Sequence, residues 1–88
     1  MTRIHVSPAQ LDAAAHRFRA SAHEVRSAAR QMRAALEAAP WQGVARNRFG
    51  DRFREWEAEA ERTAAALEDM AHDLAYVARL FEEADRNP

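Results

Sequence analysis

The residues of this 88-residue chain that could do chemistry are its four histidines, thirteen arginines and fourteen carboxylates; it has no cysteine. Histidine at helical spacing raises metal binding first. His16 and His23 share a helix face but stand two turns apart, ~10 Å, too far to ligate one zinc at about 2 Å each. His72 falls opposite residue 12 or 13 of a chain folded at its middle, and His5 lies in an N-terminal extension. No metal site and no cofactor are expected.

Acid–base chemistry fares no better. Glu55, Glu57, Glu59 and Glu61 alternate at every second position, so on a helix they fan outwards as a solvated face rather than pairing as acid and base. There is no glycine-rich phosphate loop and no serine–histidine–acid set that a thin helical fold could hold in a concave pocket. The chain is read as a non-enzyme with no catalytic residue, and its task as recognition.

Arginine offers a third chemistry, contact with phosphate. Arg46, Arg48, Arg52 and Arg54, with Arg30 and Arg33 from a facing arm, would make one end basic. Residues 1–54 carry ten arginines and four acids, and residues 55–88 carry three arginines and ten acids, for a total of −1. An acidic far end would repel a duplex, so nucleic-acid binding stands as a rival reading with that observation against it. A hairpin lays the basic arm along the acidic one, and exposed pairs of about 0–1 kcal/mol each set register more than stability.

The elements that position these residues are two helices. With two glycines, three prolines and abundant alanine the composition is that of an all-α chain, small enough for one domain over residues 1–88. Ser7-Pro8-Ala9-Gln10 reads as N-cap, Pro at N1 and Gln at N3, a capping box, with Val6 and Leu11 as a hydrophobic staple. The first stripe runs Leu11, Ala15, Phe18, Ala22, Val25, Ala29, Met32, Leu36, Ala39, alternating four and three. Pro40 ends it, giving helix 1 at about 8–39 and a turn at 40–43.

Helix 2, about 44–86, carries Phe49, Phe53, Trp56, Ala60, Thr63, Leu67, Met70, Leu74, Val77, Phe81 and Ala84 at the same spacing, interrupted by Gly50, where a close contact or slight bend is expected. Arg86-Asn87-Pro88 is a helix-stop signature. Folding at 41–43 sets Met32 against Phe53, Val25 against Ala60, Phe18 against Leu67 and Leu11 against Leu74, with Ile4 and Val6 covering Val77 and Phe81. Leu11, Phe18, Val25, Met32, Leu36, Phe49, Phe53, Trp56, Leu67, Met70, Leu74 and Val77 are therefore expected in the core of the hairpin or of a dimer. Two helices bury one seam, and flanks carrying Ala14, Ala28, Ala35, Tyr76 and Leu80 call for a second hairpin. The expected architecture is an antiparallel two-helix hairpin assembling as a dimeric four-helix bundle; Pro40 and Gly43 oppose one unbroken coiled coil.

No apolar h-region follows Met1 and no run approaches the ~20 apolar residues of a membrane span, so neither a cleavable signal peptide nor membrane insertion is expected.

Trp41 and Gly43 have a plain reading, an aromatic pinning a loop and a glycine supplying free dihedrals. Their setting adds another. Trp41-Gln42-Gly43-Val44-Ala45-Arg46-Asn47-Arg48-Phe49, with Trp56 seven residues on, resembles the signature of the WXG100 superfamily, the early-secreted-antigenic-target-like (Esx-type) substrates of type VII secretion. The resemblance spans the chain: length near one hundred, Trp-x-Gly in the central turn, two long helices. It implies a hairpin that pairs antiparallel with itself or a second WXG100-like protein and is exported, without a cleavable signal, by a membrane-bound FtsK/SpoIIIE-type ATPase.

In that family a C-terminal Tyr-x-x-x-Asp/Glu segment of one partner lies near the Trp-x-Gly turn of the other as a bipartite export signal. The matching segment here is Phe81-Glu82-Glu83-Ala84-Asp85, with phenylalanine for tyrosine and only three residues after Asp85. Phe81 is equally placed for core packing and Asp85 for a solvated helix end. The resemblance then casts this chain as the subunit giving Trp41 and Gly43 while a partner carries the tail. Tyr76 does not restore the motif, because Leu80 stands four residues on. The alternative task for the same fold is that of helical partner or chaperone to a larger type VII effector.

Overall fold

Ser7 starts the first helix by hydrogen-bond exchange. Its backbone N–H donates to Gln10 Oε1 at 2.8 Å, and its hydroxyl accepts from the Gln10 backbone N–H at 3.2 Å, so the capping box is complete. In the computed structural model, which describes residues 7–86, helix α1 runs Pro8–Ala38 and helix α2 runs Val44–Arg86. Val6 of the expected staple, Ile4, His5 and the final Asn87-Pro88 lie outside the described residues.

Ala39 leaves helical geometry at ψ 132, as a residue before proline prefers, and its N–H donates to the Leu36 carbonyl at 3.3 Å. Trp41 N–H donates to the Ala39 carbonyl at 2.9 Å, folding the link on itself. Gly43 then adopts φ +97 and its carbonyl accepts from Asn47 N–H at 3.1 Å, opening α2. That left-handed φ explains the glycine, since a Cβ there would meet no atom within 4 Å.

The two helices lie side by side as a rod of 68 × 21 × 21 Å. Its radius of gyration is 19.9 Å, against about 12 Å for a compact domain of this length. Among the described residues the buried apolar set is Ala15, Ala22, Ala60, Ala64, Ala71 and Ala78, and no large side chain is fully buried. Alanine on both helices allows close backbone approach, and the larger Leu11, Phe18, Val25, Leu36, Phe53, Leu67 and Leu74 sit half-buried beside it.

That seam corrects the expectation of one stripe on α2. Positions 53, 60, 67 and 74 face α1, but the alternate contacts are made at 57, 64, 71 and 78 in place of 56, 63, 70 and 77. Trp56, Met70 and Val77 would hold the helices apart, whereas Ala64, Ala71 and Ala78 let them close. Met32 at 51 % exposed, Phe49 at 48 %, Trp56 at 42 %, Met70 at 49 % and Val77 at 36 % are consequently outside the hairpin seam. Of the two readings of Gly50, the close contact is not found. An added Cβ meets nothing within 4 Å, so no close contact calls for glycine there.

Candidate functional site

A two-helix rod has two long sides flanking its seam, and here they differ in chemistry. On one side Arg26, Ala29 and Arg30 of α1 line a groove with Glu57, Ala58 and Glu61 of α2. Arg26 donates through Nε and Nη2 to both carboxylate oxygens of Glu61 at 2.9 and 2.8 Å, and through Nη2 to Glu68 at 2.8 Å. Arg33 makes a second bidentate pair with half-buried Glu57 and a looser one with Glu37. Glu57 and Glu61 are thus more than a solvated face. Charge complementarity between the arms is the sequence signal that leads to them.

These pairs shape ionisation. Hydrogen bonds from Arg26, aided by its charge and opposed by desolvation, hold Glu61 and Glu68 below the ordinary carboxylate value of 4.5. The same bonds push the Arg26 guanidinium further up, so it stays charged.

The opposite side is apolar. Met32, Ala35 and Leu36 of α1 face Phe49, Phe53 and Trp56 of α2 across a groove of about 560 Å³. Phe53 and Trp56 stack at 5.5 Å between ring centroids. From Phe49 the row continues along α2 at seven-residue steps through Trp56, Thr63, Met70 and Val77, with Leu80 and Phe81 near its end, all exposed. The row is continuous with the seam but not covered by it.

At the turn, Trp41 is half-buried and meets Phe49 edge-on at 5.4 Å, so an aromatic does pin this loop. Its Nε1 is buried without a hydrogen-bond acceptor, a state that costs roughly 1–3 kcal/mol when left unmet. Gly43 lies exposed beside it. Phe81 and Asp85 stand at the far end of the rod, exposed, so the two halves of the expected signal are not brought together within one chain.

Of the basic residues, Arg33, Arg46 and Arg54 line one groove near the turn, together with Glu37 and Asp51. Arg54 pairs with Asp51 and Arg33 with Glu57, while Arg46, Arg48 and Arg52 are exposed near the turn. His16, His23 and His72 are exposed, and no group of three metal-capable side chains occurs among the described residues. No helix among them is long and apolar enough to cross a membrane.

A family model described as proteins of 100 residues with WXG matches residues 3–86, nearly the whole chain. Comparison with curated proteins finds no match.

Proposed function

The chain belongs to the WXG100 family, and from that membership we propose that it is a non-enzymatic substrate of a type VII (ESX-like) secretion system, exported as a paired four-helix bundle. The observation that carries the reading is the uncovered apolar side of the hairpin, Met32 with Phe49, Trp56, Met70 and Val77. A second hairpin laid on that row buries it and completes the bundle. Recognition is then geometric. Pairing in opposite directions sets the Trp41/Gly43 turn of one chain beside the Phe81–Asp85 segment of the other, and an FtsK/SpoIIIE-type ATPase reads the composite end.

Residue roles follow from position. Gly43 supports the reading through its left-handed φ, which aims Trp41 at Phe49 instead of letting α1 and α2 fuse into one rod. Phe81 offers an apolar ring without a hydroxyl, and Asp85 an exposed acid. The protein is secreted from the cytoplasm on this reading, with no membrane-inserted stage of its own.

Trp41→Ala tests it. In the native host this variant should disappear from the culture supernatant and accumulate in cells, with helicity by circular dichroism and pairing by light scattering nearly unchanged. Unaltered supernatant levels would remove the export role. Co-purification of a large effector with the chain would instead favour the chaperone task.

A further inference from the structure

Gly50 is a glycine without a backbone reason. It lies inside α2, where glycine disfavours helix more than any residue but proline. It does not take the left-handed φ of Gly43, and a Cβ there would touch nothing within 4 Å. Neither conformation nor crowding requires it. What its missing side chain does is leave open the floor of a groove of about 330 Å³ beside the turn, on the charged side of the rod.

The groove has an apolar floor and a charged rim. Half-buried Leu36, Gly50 and Phe53 form the floor. On the rim Arg54 is taken by Asp51, and Arg33 by Glu57 and, at 3.6 Å, by Glu37. Arg46 has no ion-pair partner among the described residues, and the Asn47 side chain beside it has no hydrogen bond among them. Two of the three guanidiniums are thus neutralised within the chain, and one is not.

We propose that this groove binds a single carboxylate carried on an apolar body, with Arg46 holding the carboxylate and Gly50 making room for hydrocarbon between Leu36 and Phe53. Guanidinium and carboxylate match as a two-bond fork, and the Asn47 amide supplies a further donor. The first turn of α2 holds no acid, so the positive end of that helix adds to the attraction. A phosphate dianion fits less well, because Glu37 and Asp51 on the same rim repel a second negative charge. The volume of about 330 Å³ stands at the low end of ligand clefts, which span roughly 300–1,000 Å³, so it takes one compact group. Phe49, Trp56, Met70 and Val77 do not line it, so the site stands apart from pairing and export.

Nuclear magnetic resonance titration of the isotopically labelled full chain tests the site. The probes are hydrocinnamate, its neutral amide, a short peptide ending in phenylalanine, and inorganic phosphate. Hydrocinnamate should shift the Asn47 side-chain amide and the Gly50 backbone amide with a dissociation constant of about 1 mM or below. The neutral amide should bind roughly tenfold more weakly, and Arg46→Gln should weaken hydrocinnamate by roughly the same factor. Arg48→Gln, outside the groove, should leave binding within about twofold. Gly50→Leu should abolish binding and raise the melting temperature, the signature of a glycine that holds a site open. Gly50→Ala should do both more weakly, and circular dichroism checks that each variant stays helical. Binding of either carboxylate supports the site. The tighter of the two names the source, a free organic acid or the end of a polypeptide. No shift at about 10 mM hydrocinnamate, equal binding of acid and amide, or preference for phosphate overturns the proposal. So does a helical Gly50→Leu chain that binds as the parent does. Each of these failures leaves export untouched, since Trp41→Ala reads that separately.

Discussion

Two neighbouring stripes of α2 have opposite characters. The inner one, Ala60, Ala64, Ala71 and Ala78, is buried and built from the smallest apolar side chain; the outer one, Phe49, Trp56, Met70 and Val77, is exposed and built from large ones. An isolated globule would do the reverse, placing its bulk inside to gain about 25 cal/mol per Å² of apolar surface removed from water. The arrangement teaches that close approach of two backbones is favoured within the chain, at the cost of leaving its larger apolar side chains uncovered.

The largest effect expected from breaking this contrast is on the inner stripe. Ala64→Phe forces a ring into a space with no room and should destabilise the hairpin by about 3 kcal/mol, lowering its melting temperature by over 10 °C in a calorimetric scan. The matching change outside is Met70→Ala. On the pairing proposed above each dimer loses two apolar side chains, so the association constant measured by dilution should fall at least tenfold, while the melting of the dilute chain barely moves.

Glycine sharpens the comparison on a smaller scale. Gly43→Ala must place a Cβ at φ +97 and should cost about 1 kcal/mol by thermal melt. Gly50→Ala meets open space in mid-helix and should gain up to about 1 kcal/mol. The weakest effect concerns the charged side. Because Glu61 and Glu68 titrate below 4.5 when folded, their contribution is full above that value and lost as pH falls through the lowered folded values. Acid titration of melting temperature should show this limb, and Arg26→Gln should flatten it.

Much of the hairpin was legible because local chemistry writes it. Ser7, Pro8 and Gln10 satisfy the first N–H groups of α1 from within four residues, and Pro40 stops it by lacking a donor. The turn motif was legible too, since Trp41 and Gly43 stand where both periodicities break. What stayed hidden was which of two overlapping stripes on α2 turns inward. Trp56, Thr63, Met70 and Val77 form a continuous series with Phe53, Ala60, Leu67 and Leu74, and so do Glu57, Ala64, Ala71 and Ala78. Hydrophobicity prefers the first set; interhelix distance, which no single segment encodes, prefers the second. Gly50 misled for a related reason, because a missing side chain signals crowding only when a neighbour is near. Arg26 with Glu61 and Glu68 was visible as opposite charge on the two arms, not as a particular trio.

An alanine seam carries one more implication. Methyl groups have no rotamers to freeze, so zipping them together spends little side-chain entropy, but they also interlock poorly. Two such surfaces resemble smooth rails, along which one helix can slide past the other with few bumps to climb. Arg26 gripping two glutamates seven residues apart acts as the catch on those rails. Remove it, and the hairpin should keep its helices yet lose its certainty about where each one stops.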